Sequence, residues 1–267
     1  MKVPGRISDF CEALAIGAVA TTVRVSLHRA VIDGRPVLFC TNKRRDPIQR
    51  ANRKGRFYEQ AELNMLSQLV PAGATIVDIG ANIGNHSLYF ALFMQAKRVI
   101  PFEPNPLTYE VLIANVLANG LSDVIDLSYL GVGLSDAASN GYGMEDLQRN
   151  LGAASMIEGA GDISLARADE ALGDIRPDLI KLDVEGMEMG VLRGLGDIPA
   201  KSGCLIYAEV NNENAQAFAG WCDEVQLTSV HNFRRYRNSI YHVLAPAKSA
   251  AKVKKKIDVI LKERADA

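Results

Sequence analysis

Short, mostly apolar runs alternate with helix-spaced stretches along most of the chain, and this pattern sets the expected elements. Runs at 75–79, 99–102, 124–130, 179–182, 205–209, 225–230 and 240–244 read as strands, several of them continuous enough to be buried on both faces. Helical stretches at 84–96, 106–119, 187–195 and 213–221 separate most of them. A further one, at 59–69, carries Leu63, Leu66 and Leu69 on one face before Pro71 and Gly73 end it. Strand–helix alternation predicts an α/β fold, a doubly wound, mostly parallel sheet. The last two strands have no helix between them, which predicts an antiparallel C-terminal hairpin at the sheet edge.

The two ends follow other patterns. Residues 8–20 read as a short apolar helix and 22–27 alternate like a strand. Asp33-Gly34 between apolar runs marks a hairpin over 31–39. Residues 41–56 are polar and basic, so a boundary is expected before Phe57. The reading is an N-terminal helix and hairpin extension over 1–56, an α/β domain over 57–246 and a basic helical tail over 247–267. In the tail, Val253, Ile257, Ile260 and Leu261 recur at helical spacing beneath Lys254-Lys255-Lys256, a pattern suited to an anionic carrier or membrane surface. Residues 141–161 form a long polar connection, of a length usually tied to function or motion.

Composition narrows the class. With 48% hydrophobic and 23% charged residues in a chain of 267, this is ordinary globular material. The apolar stretch 13–23 falls short of the roughly 20 residues a membrane span needs, and Asp9 and Glu12 precede it where a signal peptide would be basic. A cytoplasmic, soluble protein is expected. Four scattered cysteines and four histidines show no zinc-ligand spacing, so no metal site is expected. The net charge of −1 hides an acidic middle, with 24 acids against 8 bases over 57–232, between two basic ends. Such ends meet an anionic partner, pack on the acidic body, or remain solvated.

Two motifs carry chemistry. The first strand runs into Val77-Asp78-Ile79-Gly80-Ala81-Asn82-Ile83-Gly84, directly before a helix starting near His86. A dinucleotide site wants G-x-G-x-x-G so that the backbone can approach a pyrophosphate. Asn82 stands where the middle glycine would be, and Asp78 at the strand end suits a cationic, phosphate-free ligand. S-adenosylmethionine, with an ammonium and a sulfonium, is such a ligand. Glu103, 19 residues after Gly84 at the next strand end, stands where such folds bind ribose hydroxyls. Taken singly, Asp78 reads equally as a turn acid and Glu103 as a surface acid.

The second motif is Lys181-Leu182-Asp183-Val184-Glu185-Gly186-Met187-Glu188. Lys181 and Asp183 share a strand face, with Glu185 following if the strand persists. A lysine in an apolar strand needs a partner. Asp183 and Glu185 are candidates to position or deprotonate an acceptor hydroxyl, with Lys181 tuning them. Glu188 reads as a substrate contact or as an acid stabilised at a helix start. His86 and Glu209 are further candidate substrate contacts, against the plainer readings of a helix-start histidine and a surface acid.

The runs Phe57-Tyr58-Glu59, VDIGANIGNHSLYFA (77–91), IPFEPNP (100–106), Asn150-Leu151-Gly152 and DLIKLDVEGMEMGVLRG (178–194) resemble the FkbM family of S-adenosylmethionine-dependent methyltransferases. The resemblance covers residues 57–245. It implies O-methylation of a hydroxyl on a glycan sugar or a polyketide-type product. It also implies cofactor roles for Asp78, Gly80, Asn82, Gly84 and Glu103, and an acidic motif of Lys181, Asp183, Glu185 and Glu188. Two other readings stand beside it: an RNA methyltransferase gripping phosphates with the basic flanks, and a non-catalytic cofactor-binding module. Against the first, Asp-Val-Glu-Gly replaces the Asn/Asp-Pro-Pro-aromatic motif of base amino-methylation, so nucleic acid is not the expected partner. Acceptor identity and oligomeric state are not legible.

Overall fold

The computed structural model describes residues 23–145 and 154–265. It opens with a hairpin of β1 (Ser26–Ile32) and β2 (Arg35–Thr41). The chain turns through Asp33 and Gly34 at φ 49° and 76°, the two left-handed residues that a two-residue hairpin turn demands. The helix expected over 8–20 lies outside the described residues. The strand expected over 22–27 instead begins at Ser26, because its pairing runs from Ser26–Thr41 to Ile32–Arg35. The basic stretch after β2 contains a helix, α1 (Pro47–Arg53). Asp46 caps it by accepting the Gln49 amide at 2.9 Å, and Pro47 begins its first turn.

The alternating region follows as α2 (Gln60–Leu69), β3 (Thr75–Ile79), α3 (Asn85–Leu92), β4 (Arg98–Phe102) and α4 (Pro106–Ala118). Next come β5 (Val132–Ser135), β6 (Ser139–Met144), β7 (Met156–Glu158), β8 (Ile163–Arg167) and α5 (Ala168–Leu172). Then β9 (Leu179–Leu182), α6 (Glu188–Gly194), α7 (Ile198–Ser202), β10 (Leu205–Asn211) and α8 (Ala215–Glu224) complete the winding. The chain ends in β11 (Leu227–Phe233), β12 (Ser239–Pro246) and α9 (Ala247–Ala265).

The main sheet has the order β11-β12-β10-β9-β3-β4. Strands β4, β3, β9 and β10 are parallel, and β12 is antiparallel to both neighbours, so the last two strands form the expected edge hairpin. Neighbouring residues point to opposite faces. Ile76, Val99, Leu179 and Val243 join the core beneath α2, α3, α4 and α9, while Val77, Ile100, Ile180 and Leu244 join the core beneath the helices α5 to α8. This is a helix–sheet–helix sandwich, the α/β fold the alternation implies.

Three expectations change. The strand expected over 124–130 shrinks to one bridge, Ile125 to Val99. Asp126 then accepts the Ser128 amide and pulls the chain into a 3₁₀ turn, a local side-chain bond competing with the ladder. The polar connection of 141–161 holds parts of a second, mixed sheet of order β5-β8-β6-β7. Its strands are short, and β5 and β6 carry glycines, so they lack a readable period; Asn150 lies outside the described residues. Finally, the apolar stripe of the tail is already used. Ile257 and Ile260 are 0% and 3% exposed within the main core. That face is therefore closed to a membrane, although Lys254, Lys255 and Lys256 stay exposed. Among the described residues no helix is long and apolar enough to cross a membrane.

The N-terminal hairpin is fastened to the sandwich. Asn119 bonds the backbone of Leu38 in both directions, at 2.9 and 2.7 Å, and Asn115 accepts the Cys40 amide at 2.6 Å. Phe39 stacks edge-on against Phe57. The sheet's winding reverses between β3 and β9, and the carboxyl ends of β3, β4, β9 and β10 open on one side of it.

Candidate active site

A cleft of about 510 Å³ lies over those strand ends. This is where ligands bind in doubly wound sheets, and the volume is ordinary for a small-molecule site. Pro47 and Ile48 of α1 form part of one wall, and Met144 and Met156 of the second sheet, with Ala154 just before β7, form part of another.

The glycine loop after β3 is held on both sides. Gly80 and Ala81 donate their amides to the Phe102 carbonyl at 2.9 and 3.0 Å. A Cβ on Gly80 would stand 1.8 Å from the Asp183 carbonyl oxygen, and φ there is +75°, so only glycine fits between the two strand ends. Asn82 occupies the left-handed region at φ 52° and donates its amide to Glu103 at 2.8 Å. The other Glu103 oxygen accepts the Asn105 amide at 2.9 Å. Glu103 is 7% exposed and lines the cleft, its position fixed by two amides that leave acceptor capacity for a ligand. Burial pushes its carboxyl above the ordinary range, against the pull of those hydrogen bonds. Gly84 is the residue before α3, so it shapes the loop from just beyond the cleft lining.

Asp78 is placed differently from the expectation. It is 0% exposed and lies under the cleft, where it accepts the Ser87 hydroxyl at 2.6 Å and pairs with Lys181 at 3.3 Å. Its charge is thus spent on Lys181, its neighbour across β3 and β9, not on a ligand cation. Lys181, 2% exposed, also donates to the Gly80 carbonyl at 2.8 Å and lies 3.8 Å from Asp183. Burial works against its charge, but Asp78 and Asp183 outweigh it and hold the ammonium above its usual range. The lysine in the apolar strand therefore ties the glycine loop to the acidic motif.

Asp183, Glu185 and Glu209 all line the cleft. Burial, followed by repulsion from Asp183 and Glu188, pushes Glu185 up to about 7. Burial and then Asp183 push Glu209 up to about 7 as well, against hydrogen bonds from Ser239 and Tyr241. Glu188 is 2% exposed and does not line the cleft; its oxygens accept from Asn211 and Asn214 at 2.6 and 3.0 Å. A buried acid at the start of α6, outside the cleft lining, is a structural anchor, which corrects its reading as a substrate contact.

His86 does border the cleft, with Nε2 3.2 Å from a Glu59 oxygen. Glu59 had no assigned role in the sequence reading, although Phe57-Tyr58-Glu59 belongs to the family-like run. It adopts φ 57° before α2, is 6% exposed, and also faces Arg235 at 3.4 Å and the Tyr241 hydroxyl at 3.2 Å. Burial opposes its ionisation, but His86, Arg235 and Lys181 prevail and lower its pKa. Asn85 clamps this segment to α3 by bonding both the amide and the carbonyl of Tyr58, at 3.0 and 3.1 Å. Tyr58 and Tyr236 meet through their hydroxyls at the cleft mouth. Only the antiparallel register that sets Glu209 opposite Tyr241 reveals the partners on β12.

The chain matches the Methyltransferase FkbM domain over residues 78–239. It is 30% identical over 151 residues to Methyltransferase 1 of Beauveria bassiana, covering 48% of this chain and 60% of that protein. It is also 30% identical over 141 residues to the hexuronic acid methyltransferase AglP of Haloferax volcanii, covering 51% of this chain and 56% of that one. The chain thus spans somewhat more than half the length of these relatives. Among solved structures, the methyltransferase FkbM from Methylobacillus flagellatus KT aligns with a TM-score of 0.46 and 16% identity, over 64% of this chain and 43% of that one. The domain match takes in the glycine loop, Glu103, the acidic motif and Glu209, and it spans well over half of the sequence: the chain belongs to the FkbM methyltransferase family.

Proposed function

We propose that the protein is an S-adenosylmethionine-dependent O-methyltransferase that methylates a hydroxyl on a sugar, glycan or natural-product acceptor. The observation that carries this reading is Glu103, a cleft-lining carboxylate at the end of β4 whose two oxygens are fixed by the amides of Asn82 and Asn105. Such a group suits the two hydroxyls of a ribose, and the Gly80–Asn82 loop beside it lacks the middle glycine of a pyrophosphate site. The bound cofactor would supply an activated methyl group on a sulfonium. Gly80, Asn82 and Glu103 would hold it, with Gly84 shaping the loop and with Asp78 and Lys181 bracing that loop from below.

The acceptor side is read from the carboxylates. Asp183, with a third of its side chain exposed and Lys181 at 3.8 Å, would orient the acceptor hydroxyl. Glu185, Glu209 and His86 would complete the polar surround. The name of the Haloferax relative, a hexuronic acid methyltransferase, supports a sugar-like acceptor. Residues 57–246 would form the catalytic domain, walled by the N-terminal extension and closed by α9. A cytoplasmic setting is supported by Cys40, Cys204 and Cys222, all buried free thiols. The direct test is methyl transfer from S-adenosylmethionine to a panel of hexoses and hexuronates. Asp183→Asn should lower turnover while cofactor affinity stays within about twofold. Full turnover in that variant would remove Asp183 from the acceptor site.

A further inference from the structure

Tyr241 carries one hydroxyl proton between two carboxylates. Its oxygen lies 2.6 Å from Glu209 Oε2 and 3.2 Å from Glu59 Oε1. The other Glu209 oxygen accepts the Ser239 hydroxyl, and Glu59 continues to His86 at 3.2 Å and to Arg235 at 3.4 Å. Glu209, Tyr241, Ser239, Glu59 and His86 all line the cleft. Hydrogen bonds therefore run from Ser239 through Glu209 and Tyr241 to Glu59, and the Glu59–His86 contact extends this polar line to the start of α3.

We propose that Glu209 is the general base that takes the acceptor's hydroxyl proton, and that Tyr241 is its positioning residue, swinging its hydroxyl from Glu209 to Glu59 as Glu209 becomes protonated. This deepens the methyltransferase reading and rests on it. The acceptor O–H bond breaks as the oxygen–methyl bond forms, and the electron pair of the breaking carbon–sulfur bond returns to sulfur. One proton on Glu209 thus replaces the positive charge lost at the sulfonium.

Geometry separates Glu209 from Asp183 and Glu59. Asp183 is already paired with the Lys181 ammonium at 3.8 Å. Glu59 is held ionised by His86, Arg235 and Lys181, so it serves as the second acceptor for the Tyr241 hydroxyl. Among the described residues no Lys, Arg or His forms an ion pair with Glu209. Burial first, and then the charges of Asp183 and Glu185 from the segment after β9, raise its affinity for a proton, against the hydrogen bonds from Ser239 and Tyr241 of β12. A base of this kind operates near neutral pH, where it is available and still strong enough to accept the proton.

The test titrates the full chain with its glutamate side-chain carboxyls ¹³C-labelled, using Glu209→Gln to identify one resonance. That resonance should titrate between about pH 6 and 8, and in Tyr241→Phe its midpoint should rise, because a hydrogen bond to the charged form is lost. In transfer to glucuronate as probe acceptor, Glu209→Gln should lose about 10²-fold or more in turnover with S-adenosylhomocysteine affinity within about twofold. Wild-type turnover should fall as pH drops through 7. Titration of Glu209 below pH 5, or Glu209→Gln retaining more than about a tenth of turnover, overturns the proposal. If the wild-type chain does not bind S-adenosylhomocysteine, the methyltransferase reading fails instead. The carboxyl titration needs no acceptor and still decides the protonation of Glu209.

Discussion

Glu103 and Gly80 contribute to the site in different ways, and their substitutions should separate. Glu103→Ala removes a charged hydrogen-bond acceptor from the cleft and should weaken S-adenosylhomocysteine binding by about 1–3 kcal/mol. Gly80→Ala places a methyl against the Asp183 carbonyl at a left-handed position, so it should cost at least about 1–3 kcal/mol of fold stability before binding is considered. Lys181→Met should cost about 3–5 kcal/mol by leaving Asp78 in the interior without its counter-ion, and adding Asp78→Asn should restore much of it. Urea denaturation of the single and double Lys181→Met variants checks this, and no rescue in the double variant would contradict the pairing. The glycine loop, Glu103 and the acidic motif were legible as residues because their spacing is local. That Asp78 faces Lys181 and not the ligand depends on the parallel register of β3 with β9, which no local spacing encodes.

At the scale of elements, parallel strands with helices on both faces announce themselves by near-continuous apolar runs. That is why β3, β4, β9 and β10 were readable. The strands β5 to β8 were not, since short strands in a small mixed sheet, two of them broken by glycine, sustain no apolar period. The amphipathic pattern of α9 was readable as a helix, but its partner was not. A stripe of Val253, Ile257 and Ile260 fits a membrane surface or a protein core equally well until the core is seen. Ile257→Ala should therefore cost about 2–5 kcal/mol. Deleting residues 252–267 should destabilise the whole sandwich. A deletion variant that melts at the wild-type temperature would return the tail to solvent.

Across the whole molecule, the acidic middle converges on one cleft. Glu185, pushed up to about 7, favours the folded state most when protonated. In the unfolded chain it ionises near 4.5, so the folded protein binds the extra proton between about pH 4.5 and 7, and stability from this group falls as pH rises through that window. Melting temperatures of wild type and Glu185→Gln should diverge from pH 5 to 8, with the variant the more stable at the alkaline end; a constant difference would contradict the carboxyl's placement. The methyltransferase account itself rests on what the cleft binds. Isothermal titration of the full chain with S-adenosylhomocysteine and with NADH decides it: the account predicts one saturable S-adenosylhomocysteine site that Glu103→Ala weakens and no comparable NADH binding, whereas tighter binding of NADH would contradict it.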